Sequence, residues 1–125
     1  MILADTSVWV RKMRGIAAFS EPLQERLRRG EIVGHALVHG ELLMGDTGGR
    51  RAFLGDYRQL PWAPTVRHVD VVALVAARGL AGSGMGWMDA HLLAAALAGG
   101  HRLWTADQAL ARAAISLDLS WHPPA

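Results

Sequence analysis

At 125 residues, 51% of them hydrophobic, the chain is long enough to bury one core as a single domain, 1–125, without a disulfide or structural metal. It holds no cysteine, which excludes disulfides, thiolate zinc sites and cysteine nucleophiles and makes the cytoplasm the expected location. The net charge is +2, the first apolar run contains an acid where a signal peptide would carry a cation, and residues 92–100 reach about half the length of a membrane span, so a soluble, non-exported protein is expected.

Residues 2–4 are an apolar run ending in Asp5-Thr6-Ser7, which predicts a buried strand meeting a helix start, with Thr6 or Ser7 as the cap. Residues 21–29 place Leu23 and Leu27 four apart among charges, an amphipathic helix stopped by Gly30; a short strand over 31–34 follows. A helix over 35–44 carries Glu41 on a mostly apolar surface and ends in the glycine-containing loop 45–49. Helices over 50–60 and 69–80 come next, the first closed by Pro61 and the Pro64 turn. After the glycine-dense segment 79–86, residues 88–97 form a strongly apolar helix with Asp89 in its first turn. A strand over 101–105, a helix over 108–114 and a last strand over 117–121 complete the chain.

Apolar strands alternating with helices predict a three-layer α/β/α sandwich around a mainly parallel sheet. Ligands of such sheets gather at the carboxyl ends of strands, and Asp5 and Asp107 each lie just past one. Glu41 and Asp89 sit on apolar helices, where an ionised carboxylate is costly without a compensating charge. Taken singly, each acid also reads as a cap, a turn residue or half an ion pair. Together they would repel, and a divalent cation resolves that conflict. An all-oxygen donor set, with Ser7 and Thr105 as neutral supplements, selects Mg²⁺ or Mn²⁺ and suits phosphodiester hydrolysis by metal-activated water.

Four blocks sharpen this: Ala4-Asp5-Thr6-Ser7-Val8-Trp9, Gly40-Glu41-Leu42, Asp89 through Ala96, and Leu103-Trp104-Thr105-Ala106-Asp107. In order and spacing they resemble the PIN domain and, within it, the VapC toxins of bacterial toxin–antitoxin pairs. The resemblance covers nearly the whole chain. It implies a PIN-like fold, a Mg²⁺- or Mn²⁺-dependent endoribonuclease acting on RNA, a homodimer, and inhibition by a cognate VapB-like antitoxin. Asp5, Glu41, Asp89 and Asp107 match the family's catalytic and metal-binding acids, and Ser7 and Thr105 the supporting hydroxyls. Gln108 and Ala109 stand where the family often has a further acid or histidine, which leaves one metal or two open. The alternatives are a weakly active PIN-fold binding module working through its antitoxin complex, and a nuclease with another nucleic-acid substrate.

Other signals compete. His35 and His39, four apart, suit a zinc pair but lack a third ligand. Gly82, Gly84 and Gly86 follow a helix and lack the lysine of a phosphate loop. Twelve of the 13 cations are arginines, clustered at 11–14, 26–29 and 50–51, where they match phosphate geometry or form a solvated face. Trp87 is the tryptophan best placed to stack on a base, Trp104 reads as core, and the strip Val71, Val72, Leu74, Val75 and Leu80 reads as core or a dimer face.

Overall fold

The computed structural model describes residues 1–124 and begins with strand β1 (Ile2–Ala4), all three of whose side chains are buried. Successive strand residues point to opposite faces, so a strand buried throughout needs cover on both. The cover comes from α1 (Thr6–Met13), α2 (Ala17–Arg28), α3 (Ala36–Met44), α4 (Arg51–Arg58), α5 (His68–Arg78), α6 (Trp87–Gly99) and α7 (Gln108–Ser116), interleaved with β2 (Ile32–Val33) and β3 (Arg102–Trp104). The sheet is parallel in the order β2-β1-β3; Leu3 lies opposite Val33 on one side and Leu103 on the other. The expected α/β architecture is present.

The sheet extends at both edges by single parallel bridges, Gly34 to Trp62 and Leu103 to Ser120. Against the expected strand over 117–121, only the bridge forms. Asp118 adopts a left-handed φ of 56°, which breaks the extended run, and the segment is then held by Leu103 N–H donating to the Leu119 carbonyl (2.7 Å) and Trp121 N–H to that of Leu103 (2.9 Å).

Helix α6 is the pivot of the packing. Leu92 through Ala96 are five consecutive buried residues, which wrap more than a full turn, so this helix is enclosed on all sides at its middle. Gly100 ends it at φ 68°, a conformation unstrained for glycine, and the chain passes directly into β3. Helix α2 starts four residues before the expected boundary, with Pro22 inside it. The carbonyl that loses a partner to proline belongs to Ala18, which is exposed to water. The strip on α5 divides: Val71 is fully buried against Ala90 and Ala94, Leu74 and Val75 pack beside it, and Val72 is exposed.

Around β2 the close packing of two residues sets the geometry. Gly34 lies so near the Tyr57 ring that a Cβ there would sit 3.2 Å from Cε1, and the next backbone N–H, of buried His35, donates to the Tyr57 hydroxyl at 3.0 Å. Burial pushes the Tyr57 phenol far above its ordinary pKa, so it stays neutral. Tyr57→Phe leaves that buried N–H without an acceptor and is expected to cost ~1–3 kcal/mol of stability in a denaturant titration; an unchanged midpoint would show that water replaces the hydroxyl.

Candidate active site

The β1–α1 turn and the β3–α7 turn lie side by side because β1 and β3 are neighbours, and Asp5 N–H donates to the Trp104 carbonyl at 3.0 Å. Each turn starts a helix with an acid. Asp5 caps α1 by accepting from Val8 N–H (3.2 Å), and Asp107 caps α7 by accepting from Leu110 N–H (2.9 Å). The cap of α1 is therefore Asp5, where sequence patterning points to Thr6 or Ser7. The two hydroxyls serve another purpose.

Asp5 is 4% exposed and fully engaged. Ser7 Oγ donates to its Oδ1 and Thr105 Oγ1 to its Oδ2. Each hydroxyl has one proton, which it spends on Asp5. Their lone pairs accept from the backbone of the β3–α7 turn, Ser7 Oγ from Ala106 N–H across the two turns (2.9 Å) and Thr105 Oγ1 from Asp107 N–H within its own turn (3.0 Å). The orientation of both hydroxyls is thus set from two sides. Desolvation raises the Asp5 pKa, and the donors from Ser7, Thr105 and Val8 oppose it.

Half-buried Asp89 stands in the first turn of α6. Its pKa is raised, first by burial, then by the charges of Asp107, Asp5 and Glu41, with the Gly86 backbone amide pulling the other way. Asp89 therefore lies within electrostatic reach of the other three predicted acids. Exposed Glu41, on α3, is oriented by Thr6 Oγ1, which donates to Oε1 at 2.7 Å. Sequence reasoning read Thr6 only as a cap. Its position in the same turn as Asp5 was the available signal, but a contact across 35 residues needs the fold.

His35 and His39 do not form a zinc pair. His35 is buried and uses Nδ1 to cap α3, accepting from Leu37 N–H at 3.0 Å; burial, with His91 nearby, holds it below its ordinary pKa. His39 stacks on Tyr57, centroids 6.1 Å apart. Trp104 is core, as expected, and Trp87 is exposed beside His68 and His91.

Among the described residues the ion pairs join Arg26 to Glu31, Arg28 and Arg29 to Glu25, and Arg67 to Asp70. None neutralises the four acids. Nor do three His, Asp or Glu side chains among the described residues close into a ready-made metal cage. The four acids are oxygen donors outside every ion pair among the described residues, a donor chemistry that fits a hard divalent ion.

Comparison with known proteins is consistent with this geometry. The PIN domain family profile matches residues 2–116. The chain is 43% identical over 111 residues to Ribonuclease VapC32 of Mycobacterium tuberculosis strain CDC 1551 / Oshkosh, covering 88% of this chain and 87% of the relative, and matches the protein of that name from strain ATCC 25618 / H37Rv to the same extent.

The raised pKa values carry a sign. A carboxyl whose folded pKa exceeds its ordinary 3.8 contributes stability below that value and loses it as pH rises through the folded pKa. With metal chelated, Asp89→Asn is expected to melt above wild type at neutral pH and to lose that margin as the pH falls to about 4. Equal melting temperatures across the series would contradict the repulsion.

Proposed function

The chain belongs to the PIN domain family, and from that premise we propose that it is a metal-dependent endoribonuclease, the toxin of a type II toxin–antitoxin pair. One observation carries the reading: the buried Asp5 is held by Ser7 and Thr105, and Asp89 feels its charge together with those of Asp107 and Glu41, none of the four being ion-paired among the described residues. The 43% identity to proteins named ribonuclease supports RNA as the substrate.

In this reading Asp5, Asp89, Asp107 and Glu41 hold Mg²⁺ or Mn²⁺. When bound, the ion supplies an activated water and positive charge at the scissile phosphate. The residues of this chain prepare the site. Asp5 is the fixed member, since three donors and burial leave its carboxylate no freedom to swing. Ser7 and Thr105 act through Asp5 as positioning residues, and Thr6 does the same for Glu41. Asp89 and Asp107, each in the first turn or at the cap of a helix, place their charges where the helix dipole favours an anion.

RNA places the site of action in the cytoplasm, with a VapB-like antitoxin and a second copy of the chain as partners. No helix among the described residues is long and apolar enough to cross a membrane. Exposed Leu43, Met44 and Trp62 on one part of the surface, and Val69, Val72, Trp87 and Met88 on another, offer apolar area for such partners to cover.

Purified chain incubated with total RNA and Mg²⁺ or Mn²⁺ is expected to give discrete fragments. EDTA and Asp5→Asn should each abolish them, and Ser7→Ala or Thr105→Ala should slow cutting by about 10- to 100-fold. Folded, antitoxin-free protein that leaves RNA intact would shift the reading to a binding module.

A further inference from the structure

Most arginines with a close partner use it structurally. Arg26, Arg28, Arg29 and Arg67 pair with acids, Arg11 donates to the Ser7 carbonyl, and Arg102 to that of Ser120. The side chains of Arg14 and Arg50 have no ion-pair or hydrogen-bond partner among the described residues, yet both residues line one cavity of about 260 Å³. That cavity is also lined by Thr6 and Glu41, the hydrogen-bonded pair at the rim of the acidic site, and by apolar Val10 and Met13.

Helix stability accounts for Arg14 but not for Arg50. Arg14 caps the C-terminus of α1, where a cation is favoured. Arg50 stands at the N-cap of α4 and is followed by Arg51, with no acid in the first turn and no side-chain cap bond; cations there oppose the dipole. Among the described residues Glu41 is the one carboxylate lining the cavity and Thr6 already engages its Oε1, so two arginines against one acid leave the lining net positive, which suits a further anion.

We propose that this cavity is a subsite for the substrate strand, in which Arg14 and Arg50 grip a backbone phosphate next to the scissile one while Val10 and Met13 support the intervening sugar. The subsite rests on the ribonuclease reading above. Its logic is spatial: Glu41 and Thr6 belong to both the acidic site and the cavity, so a strand whose scissile phosphate lies among the acids runs past them toward positive charge. Acids alone repel RNA. Two arginines beyond them give the strand a direction, and the guanidinium fork suits phosphate oxygens.

The test is binding of a single-stranded RNA oligomer in EDTA, over a series of salt concentrations, to wild type, Arg14→Ala, Arg50→Ala, the double variant and both lysine replacements, with steady-state cleavage in Mn²⁺ alongside. The double alanine variant is expected to reduce the slope of log affinity against log salt by about 0.7, the contribution of one phosphate on a single strand, and each single alanine by part of that. The cleavage loss should fall on KM more than on kcat, and lysine should restore the slope because it restores the charge. A double variant with wild-type slope and KM, in a protein that cuts RNA, overturns the subsite while leaving the ribonuclease reading intact. Loss of affinity confined to an antitoxin peptide overturns it in favour of a protein-binding surface. A wild-type chain that neither binds nor cuts RNA removes both.

Discussion

The structure turns on one buried carboxylate. Asp5 sits at the carboxyl end of the central strand, out of reach of bulk water, where an unsupported anion would be very costly. Its compensation is two hydroxyls and a backbone N–H, one hydroxyl from its own turn and one from a turn a hundred residues away. Satisfying it requires β1 beside β3, the two turns in contact, and both hydroxyls locked by backbone N–H groups of the β3–α7 turn. Helix caps, strand order and site geometry are in this sense one arrangement.

Around this point the protein departs from the rule that charges are paired. Four of its twelve arginines follow that rule, forming exposed or half-exposed pairs that are worth little individually. At the site, four acids stay unpaired among the described residues, and Asp89 bears the cost in a carboxyl pushed upward first by burial and then by the charges of the other three. Natural sequences break local rules chiefly where function needs it. The imbalance is what gives the site its appetite for a cation.

Much of this was legible beforehand because a parallel sheet has a simple grammar. Asp5 and Asp107 each follow an apolar strand, and strand ends converge, so their meeting needed no knowledge of packing. Apolar helices carrying single acids marked Glu41 and Asp89. What escaped was decided by contacts that sequence patterns do not encode. Asp5 took the capping role from Thr6 and Ser7 because its hydroxyl neighbours were drawn toward the anion and, for Thr6, toward Glu41. Pro22 concealed the first turn of α2, since a helix tolerates the missing bond where the freed carbonyl meets water. Asp118 broke the last strand with a backbone angle that a pattern of apolar residues cannot reveal. The apolar strip on α5 left the choice between core and surface open, and the fold divides it residue by residue, with Val71 inside and Val72 outside.

The neighbouring of β1 and β3 has a consequence for the timing of synthesis. The first strand made must wait for the last one, since Asp5 gains the Thr105 hydroxyl only after the chain between them is complete, and closing so long a loop comes late in folding. A chain not yet extended past β3 lacks Asp107, one of the two sheet partners of β1, and one of the three donors to its key acid. Premature termination anywhere before β3 therefore leaves Asp5 without the Thr105 hydroxyl and the acidic group without Asp107, so the site is assembled only by the last third of the chain.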